Sequence, residues 1–492
     1  MSSLRQVALL AAICLGTFMA TLDISIVNVA LPTMKQELAI SMADSQWVVN
    51  AYALCLSTLI LSSGPLGDRF GRKLLWLCGV VLFTLGSIAC AMADSLWLLL
   101  LGRVIQGIAG AAVIPGALSL LTHAFSDVGA RTRAIGIWSS VSALSLILGP
   151  IVGGLLVQHV GWQSIFWINV PIGFIALLLG AWGLGGLGAW GLDESADPEQ
   201  AALDFAGQLL SILFLGGLTY GLIGLGEHDW LSYHTLVPLL LAAILFAVFI
   251  RVELKAPRPL LPLKLFRQRD FSCYNSASFV LGFSAYSSVF FMSLFFQEAQ
   301  RWDAAEAGWR MAPEFIAMAV AAMGFGRLAA NFGVRRLMNL GYGLMALALM
   351  LLSNLQGETA YFLTAGYLAL LGLGMGLAVP ATSELVMASV GAQRSGMASA
   401  TMNAVRQTGM TLGIALLGTL MSRVIYTAKE TESGGQFDPS GIAAINHQAV
   451  AAGFGVAMFW AGVLCLGMTL WLLLRHPRLG SLAAAKTASD DC

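Results

Sequence analysis

The sequence predicts an all-α polytopic membrane protein with 14 transmembrane helices, built as two six-helix halves plus an inserted pair. The first observation is composition: 58% of the 492 residues are hydrophobic and 11% are charged. A soluble domain carries about 25% charged residues and could not bury so much apolar surface. The second observation is that apolar runs of bilayer-spanning length, about 20 residues, recur along the chain. The third is a short glycine-rich motif that occurs twice.

Fourteen runs are long enough to span a bilayer. They are, approximately, 7–31, 46–66, 75–93, 96–120, 134–157, 161–182, 205–225, 235–253, 271–296, 308–330, 337–354, 361–387, 396–421 and 449–474. If every run spans, the Lys and Arg residues of the connections fall on one side, and the positive-inside rule makes that side the cytoplasm. The acidic connection 183–204 has no Lys or Arg, but acids count little in this rule. We therefore expect a multi-pass protein of the inner (plasma) membrane with both termini in the cytoplasm.

The motif around which the chain is organised is Gly64–Lys73, GPLGDRFGRK, which we predict to be a short loop at the membrane surface. Glycine allows tight turns and close approach of helix ends. A loop that only sets the orientation of the chain in the membrane needs positive charge but neither glycines nor an acid. That simpler interpretation stays open. We therefore expect the charged side chains of this loop to make specific contacts, which break when the helices move. The residues of this loop that we single out for such contacts are Gly64, Gly67, Asp68, Arg69, Gly71 and Arg72.

A degenerate copy of the motif, Gly326–Arg336 (GRLAANFGVRR), follows the tenth run. Phe332-Gly333 corresponds to Phe70-Gly71, whereas Ala330 stands where Asp68 would be. A repeat at this spacing predicts two similar halves, the plan of many membrane transport proteins. The expected divisions are an N-terminal half at 1–182, an inserted helix pair with a cytoplasmic connector at 183–270, a C-terminal half at 271–474 and a cytoplasmic tail at 475–492.

Two charged residues lie inside N-terminal runs. A carboxylate within a transmembrane helix costs about 2.5–3.5 kcal/mol on insertion scales, so Asp23 needs a cavity or a partner. We interpret it as a proton- or cation-binding group; the alternative is an Asp hydrogen-bonded to a neighbouring helix. Arg103, with Gln106 and Gly107 one turn further on, needs a partner or a wet cavity for the same reason. A structural tether between helices is the alternative for Arg103.

The C-terminal half carries two further carboxylates within runs, Glu314 and Glu384. Either is a candidate second site for proton or cation coupling. The alternative for each is an interfacial side chain that extends towards the membrane surface. Glu298 and Glu306 fall in a connection between runs, and we expect both to be solvated.

Four N-terminal motifs, in this order, resemble those of the major facilitator superfamily, and specifically its 14-helix drug:proton antiporter branch (EmrB/QacA type). They are LDISIVNVALP from Leu22 (with Ser25 in place of the usual Thr), the Gly64–Lys73 motif, RVIQG from Arg103, and Gly149, Pro150, Gly153 and Gly154.

In the family the Gly64–Lys73 motif is a charge relay that latches one conformation, and the Arg of RxxQG is tied to proton transfer. The Gly149–Gly154 stretch resembles the antiporter motif, which is associated with exporters. Asn403, Arg406 and Gln407 resemble a further stretch of this branch and are expected to form helix contacts near the cytoplasmic mouth.

The resemblance implies proton-driven efflux of lipophilic, often cationic, drugs or toxic compounds by alternating access. The alternative is an exporter dedicated to a single metabolite or antibiotic. The expected partners are the small-molecule substrate, protons and membrane lipids. A periplasmic adaptor is a further expected partner, with its contact in the loop 422–448. The Gly149–Gly154 motif argues against an importer.

Other functional classes find little support. The formal net charge is zero, so nothing indicates a nucleic-acid partner. We find no cysteine or histidine cluster of metal-ligand spacing, and expect neither a metal nor another cofactor. A membrane prenyl- or acyltransferase would need an acid-rich metal-diphosphate motif or a catalytic histidine in a surface loop. The six histidines are scattered near helix ends, so we expect no enzyme.

Overall fold

The computed structural model describes residues 3–125, 127–184, 204–229, 231–257, 259–391, 394–432 and 439–475. Within those ranges, 14 helices are long and apolar enough to cross a membrane, which confirms the predicted number. They are α1 (Leu4–Glu37), α2 (Met42–Phe70), α3 (Arg72–Ala91), α4 (Leu96–Ala124), α5 (Gly129–His159), α6 (Ser164–Gly183), α7 (Phe205–Gly224), α8 (Tyr233–Lys255), α9 (Arg269–Ala299), α10 (Ala304–Phe332), α11 (Val334–Leu352), α12 (Tyr361–Ala388), α13 (Ser395–Ala428) and α14 (His447–Arg475). Most of the acidic connection and all but the first residue of the predicted tail lie outside the described residues.

The prediction of a loop at Gly64–Lys73 is wrong in its extent. Helix α2 continues through Pro65 to Phe70, and Gly71 alone separates it from α3. Gly71 adopts φ +96°, a conformation that only glycine takes without steric penalty. A continuous helix satisfies its own backbone hydrogen bonds, which a longer loop at the membrane surface would not.

The second copy of the motif has the same backbone. Helix α10 ends at Phe332, Gly333 adopts φ +83°, and α11 begins at Val334. Phe332-Gly333 therefore repeats Phe70-Gly71 as a helix end followed by a one-residue break. The two copies share the positive-φ glycine rather than the charge pattern, since Ala330 replaces the acid.

The two halves repeat one packing pattern. In the N-terminal half, α4 packs on both α2 and α3, and α1 packs along α5. In the C-terminal half, α12 packs on both α10 and α11, and α9 packs along α13. Each of these helices in the first half thus has a counterpart eight positions later, as expected for two six-helix halves separated by two inserted helices.

The inserted helices α7 and α8 pack against each other at the side of this bundle. Helix α7 also contacts α2 of one half and α13 of the other, so it lies beside one seam between the halves. The side chain of Gln208 on α7 donates to the Thr58 carbonyl of α2 at 3.2 Å. On α13, the Thr419 hydroxyl donates to the Leu222 carbonyl of α7 at 2.5 Å. The second seam is formed by α5 and α10.

The bundle has two distinct ends. The basic end carries the α2–α3 and α10–α11 breaks with Arg72, Lys73, Arg335 and Arg336, and the far end carries the α1–α2 and α9–α10 connections. Several polar contacts join the halves towards the far end. Lys35 Nζ lies 2.9 Å from Glu298 Oε1, Gln297 Nε2 donates to the Val29 carbonyl at 2.9 Å, and Gln158 Nε2 donates to Asp303 Oδ2 at 3.1 Å.

Towards the basic end, the same two seam helices have open space beside them. A methyl group added at Gly136 of α5 or at Gly326 of α10 would meet no described atom within 4 Å. The halves are thus joined at the far end, and α5 and α10 are unobstructed at these positions nearer the basic end.

The expectation that Glu298 is solvated is wrong. Its carboxylate is 21% exposed and is bound by Lys35 of the other half. The error arose because α9 extends to Ala299, through a π-helical turn at Phe295–Ala299, instead of ending near residue 296. Glu306 is half exposed and lies 3.6 Å from Arg310 on the next turn of α10.

Candidate functional site

The centre of the N-terminal half contains a buried ion pair between Asp23 of α1 and Arg103 of α4. Asp23 is 0% exposed and Arg103 is 1% exposed. Arg103 Nη1 donates to Asp23 Oδ2, and Arg103 Nε donates to the Val48 carbonyl of α2 at 3.0 Å. Each charge therefore has the other as its partner, and three helices meet at this point.

Gln106 completes the ion pair into a network. Its side-chain oxygen accepts from Arg103 Nη1 at 2.8 Å, while its Nε2 donates to Asp23 Oδ1 at 3.1 Å. The same Nε2 donates to the Ser87 hydroxyl of α3 at 2.9 Å, and Asn169 of α6 donates to that hydroxyl at 3.3 Å. Both oxygens of the buried Asp23 carboxylate thus receive hydrogen bonds, as burial of a carboxylate requires.

Two aromatic rings cover the guanidinium group. Arg103 Cζ lies 4.6 Å from the centre of the Tyr52 ring and 5.9 Å from that of Phe166. Such cation–π contacts are strongest where water is excluded. The Tyr52 hydroxyl donates to the Ala20 carbonyl of α1 at 3.1 Å, which fixes the ring. No sequence pattern singles out Tyr52, Phe166, Ser87 or Asn169, because their roles depend on contacts between distant helices.

Gly107 of the RVIQG motif explains how α4 comes close enough to α2. A methyl group at Gly107 would lie 2.6 Å from the Tyr52 carbonyl oxygen, which is shorter than any normal contact. A larger residue at 107 would push α4 away from α2. It would thereby lengthen the Arg103–Val48 hydrogen bond and the contact of Arg103 with Tyr52.

The Gly149–Gly154 motif of α5 packs on two different helices. Methyl groups at Gly149 and Gly153 would lie 1.9 Å from Ser25 Oγ and 2.6 Å from Ile26 Cγ1, both on α1 and close to Asp23 in sequence. A methyl group at Gly154 would lie 2.3 Å from the Ala304 carbonyl of α10, in the other half. On α10, Gly308 approaches the Pro150 carbonyl equally closely. The motif therefore connects the helix that carries Asp23 with the opposite half.

Gly154→Val is expected to separate α5 from α10 at the far end. The neighbour of residue 154 is a backbone carbonyl, which cannot rotate away as a side chain can, so overpacking of about 1–3 kcal/mol is expected. The prediction is a loss of transport together with greater cysteine accessibility at the far end, measured by labelling of a cysteine introduced at Val157, which is buried in the closed far end. Gly136→Val on the same helix, where space is open, should leave both unchanged. Equal effects of the two substitutions would contradict the packing argument.

The residues of the predicted latch contact one another across Gly71. Arg72 Nη2 lies 2.8 Å from Asp68 Oδ1, and both side chains are partly exposed. The guanidinium carbon of Arg69 lies 5.4 Å from the centre of the Phe70 ring. A methyl group at Gly67 would contact Arg72 Cγ at 3.3 Å, whereas Gly64 has open space around it. An exposed pair of this kind contributes about 0–1 kcal/mol, so it can be broken easily.

The two carboxylates predicted for the C-terminal half differ sharply. Glu314 is 0% exposed, and neither side-chain oxygen has a hydrogen-bond partner among the described residues. Glu384 is exposed on α12. Both lie on helices of the opposite half from the Asp23 network.

The predicted mouth residues lie on α13. Arg406 Nη2 donates to the Asn403 side-chain oxygen, and its guanidinium carbon lies 5.4 Å from the Tyr286 ring centre on α9. Gln407, on the next position of the same helix, is partly buried. The three residues therefore lie on a helix of the C-terminal half, beside α9 and not at the Asp23 network.

A small cavity of about 20 Å³ lies between the halves. Its lining is apolar and rich in methionine and aromatic side chains, with two polar residues of α1. It consists of Ile24, Ser25, Asn28, Val49, Leu146, Tyr286, Val289, Phe315, Met318, Met375, Met410 and Ile414. Ile24 is adjacent to Asp23, Phe315 is adjacent to Glu314, and Tyr286 contacts Arg406. The described residues that line the cavity include no charged one; Asp23 and Glu314 are neighbours in sequence of residues that line it.

The arrangement of two repeated helical halves is shared with solved membrane transporters. A crystal structure of a peptide transporter, POT, in complex with sulfate matches with a TM-score of 0.67 at 14% identity, over 94% of each chain. A bacterial homologue of the human lysosomal transporter Spinster, in an inward-facing and unoccupied conformation, matches with a TM-score of 0.66 at 18% identity, over 96% of this chain and 97% of that one. At these identities the matches establish the fold alone.

Sequence comparison gives the family. The model of the Major Facilitator Superfamily matches residues 13–414 and 274–488, and this chain belongs to that family. It is a membrane transporter, not an enzyme. The methylenomycin A resistance protein of Bacillus subtilis is 34% identical over 85% of this chain and 88% of its own. The multidrug resistance protein Stp of Mycobacterium tuberculosis is 34% identical over 85% of this chain and 76% of its own. The tetracenomycin C resistance and export protein of Streptomyces glaucescens is 35% identical over 84% of this chain and 75% of its own.

Proposed function

We propose that this protein exports lipophilic, often cationic, drugs or toxic compounds from the cell in exchange for protons. The observation that carries the proposal is the buried Asp23–Arg103–Gln106 network beside a central apolar cavity. A methionine-rich, aromatic lining adapts to ligands of varied shape. The names of the similar proteins, which include a multidrug resistance protein and an antibiotic export protein, support the same class of substrate.

The second candidate is an exporter dedicated to one antibiotic or metabolite. Two of the similar proteins are named for a single antibiotic each, methylenomycin A and tetracenomycin C. A substrate panel separates the candidates, because a dedicated exporter would move one chemical family and leave ethidium behind.

The proposed orientation places the basic end and both termini in the cytoplasm and the far end outside, in the inner membrane. The contacts between the halves at the far end then correspond to a state closed to the outside. The proposed divisions are the halves 1–182 and 271–474, joined through 183–270 and followed by the tail 475–492. The adaptor contact is proposed for 422–448. The prediction of a loop there is wrong for residues 422–432 and 439–448, which are helical, and residues 433–438 lie outside the part of the chain that the structure describes.

The proposed coupling uses the two protonation states of Asp23. The ionised carboxylate is held by Arg103 and Gln106, which ties α1 to α4. A proton on Asp23 removes the charge that Arg103 pairs with and so weakens this tie. Since Ser25 and Ile26 of α1 pack directly on α5, a shift of α1 is transmitted to the α5–α10 seam between the halves. Alternating access then follows from rocking of the halves about the central cavity.

The other predicted residues have supporting roles in this proposal. Asp68, Arg69 and Arg72, with Gly64, Gly67 and Gly71, form and release the latch at the cytoplasmic end. Asn403, Arg406 and Gln407 form helix contacts on the cytoplasmic side of the cavity, and Glu384 is the more exposed of the two candidate carboxylates. One proton supplies about 1.4 kcal/mol per pH unit, and a potential of 100 mV adds about 2.3 kcal/mol. One proton per substrate could therefore sustain a gradient of several hundred-fold for a neutral substrate, and of about tenfold per pH unit for a monovalent cation, whose exchange moves no net charge.

Glu314 is proposed as the second coupling or cation-binding group. It is fully buried without a hydrogen-bond partner among the described residues, and the adjacent Phe315 lines the central cavity. Glu314→Gln is expected to lower ethidium efflux about tenfold, the equivalent of about 1.4 kcal/mol, and to affect a neutral substrate less. Glu306→Gln, a half-exposed carboxylate on the same helix, is the matched control. Unchanged ethidium efflux in Glu314→Gln would exclude it from the site.

The experiment that tests the proposed function is ethidium efflux from cells, followed by fluorescence with and without a protonophore. We expect energy-dependent efflux that the protonophore stops. Efflux that continues in the presence of the protonophore would exclude proton coupling. Absence of ethidium efflux, with movement of a single antibiotic, would favour the dedicated exporter.

A further inference from the structure

His447, at the start of α14, uses both of its ring nitrogens at the far end of the bundle. Its Nδ1 contacts the Glu298 backbone carbonyl oxygen, and Arg301 Nε donates to its Nε2 at 2.7 Å. A carbonyl oxygen can only accept a hydrogen bond, and a guanidinium can only donate one. The imidazole must therefore carry its proton on Nδ1 and have a free lone pair on Nε2. Only the neutral form of histidine satisfies both contacts.

The segment that His447 holds is the segment that joins the two halves. The Glu298 carboxylate accepts from Lys35 Nζ of α1 at 2.9 and 3.1 Å. One turn earlier, Ser293 donates to the Asn28 carbonyl of α1 at 2.7 Å. His447 thus fixes the backbone of the residue whose side chain bridges to the N-terminal half.

The backbone at Arg301 supports a specific role for this contact. Arg301 adopts φ +62°, and among the described residues only Ala39 shares a positive φ without being glycine. An arginine in this conformation is uncommon and indicates that surrounding contacts determine it. Arg301 donates its hydrogen bond to His447 from this conformation.

We propose that His447 is a proton-binding site that controls opening of the far end. A proton on Nε2 would place a positive imidazolium against the Arg301 guanidinium and remove the acceptor of its hydrogen bond. The closed far end therefore cannot keep its Arg301–His447 hydrogen bond once the imidazole carries a second proton. It follows that the closed form is favoured at higher pH and is lost as the pH falls. The inference rests on the proposed orientation, in which the far end faces the side from which protons enter.

Other charged groups face the same region. His447 lines two cavities of about 980 and 610 Å³. Their charged members, besides His447, are Lys35, Glu227, Glu298, Asp303, Arg301, Arg310 and Glu358. Five of these groups have partners: Glu298 binds Lys35, Asp303 accepts from Gln158, Arg310 pairs with Glu306, and Arg301 donates to His447. Histidine is the side chain among these that ordinarily changes charge between about pH 5 and pH 8.

The test measures the width of the far end without transport or substrate. Spin labels are attached to cysteines introduced at Asp94 and Gln356, which are exposed and lie in connections of different halves. The full-length protein, with its native cysteines replaced, is placed in lipid nanodiscs. Distances are measured by double electron–electron resonance at about pH 8 and about pH 5, the limits between which histidine changes charge. We expect the shorter distance to dominate at the higher pH and a longer one at the lower pH.

Two variants connect this response to His447. His447→Gln keeps a neutral donor and acceptor, and Arg301→Gln removes the cation opposite Nε2; each should abolish the change in distance with pH. His159→Gln alters an exposed histidine at the same end and should leave the change intact. A distance that does not change with pH in the unmodified protein would overturn the inference, as would a full response in His447→Gln. Because no substrate is present, failure of ethidium efflux would count against the proposed function and not against this inference.

Discussion

Asp23→Asn is expected to abolish uphill efflux. It also leaves Arg103 buried without its anion and so lowers stability, and efflux is therefore compared at equal amounts of inserted protein. Asparagine keeps the size of the side chain and still accepts a hydrogen bond from Arg103, but it cannot take up a proton. Ethidium carries one positive charge, so its one-for-one exchange with a proton moves no net charge and is driven by the pH difference alone. The gradient of about tenfold per pH unit that one proton can then sustain should fall to about one. The measurement is ethidium accumulation in energised inverted vesicles, with the amount of inserted protein determined on the same membranes.

The control for Asp23→Asn is Asp94→Asn. Asp94 is an exposed carboxylate in the α3–α4 connection, outside the buried network. It should pump at the level of the unmodified protein. Normal pumping by Asp23→Asn would make Asp23 a structural residue, and the coupling group would then have to be sought at Glu314.

Arg103→Met is expected to destabilise the protein far more than a substitution at an exposed ion pair. It leaves the Asp23 carboxylate buried without a cation, and breaking a buried pair in this way costs about 3–5 kcal/mol. The double variant Arg103→Met/Asp23→Asn should recover part of that loss, because the uncompensated charge is gone. The measurement is the free energy of unfolding from denaturant titration in detergent micelles, for the two single variants and the double variant.

The matched comparison is Arg72→Met, which breaks the partly exposed Asp68–Arg72 pair. That substitution should cost no more than about 1 kcal/mol, since exposed ion pairs contribute little. If Arg103→Met and Arg72→Met destabilise the protein equally, the Asp23–Arg103 pair is not desolvated in the membrane, contrary to its burial among α1, α2 and α4.

The transmembrane helices could be predicted from sequence because the bilayer imposes a length and a composition on each of them. The internal repeat was also visible, since Phe70-Gly71 and Phe332-Gly333 mark the same break in both halves. The sequence did not show that this break is only one residue long. Glycine, proline and charged residues usually indicate a loop, yet Gly64 and Pro65 lie within α2, because the helix satisfies its own backbone hydrogen bonds.

In the candidate site, too, some residues could be predicted from the sequence and others could not. Asp23, Arg103 and Glu314 could be identified because a charge inside an apolar run is costly and therefore noticeable. Their partners could not be identified. Ser87 and Tyr52 are ordinary residues on α3 and α2, and they matter only because close glycine contacts bring α4 against both helices. Glu298 was misjudged because the last turn of α9 extends beyond its apolar run.

The central claim is that Asp23 carries the proton that drives substrate export. The most direct measurement is proton movement in proteoliposomes when an ethidium gradient is imposed, recorded with a trapped pH indicator. We predict that ethidium moving in one direction drives protons in the other through the unmodified protein, and that Asp23→Asn moves no protons. Proton movement of normal size through Asp23→Asn, coupled to ethidium, would contradict this claim.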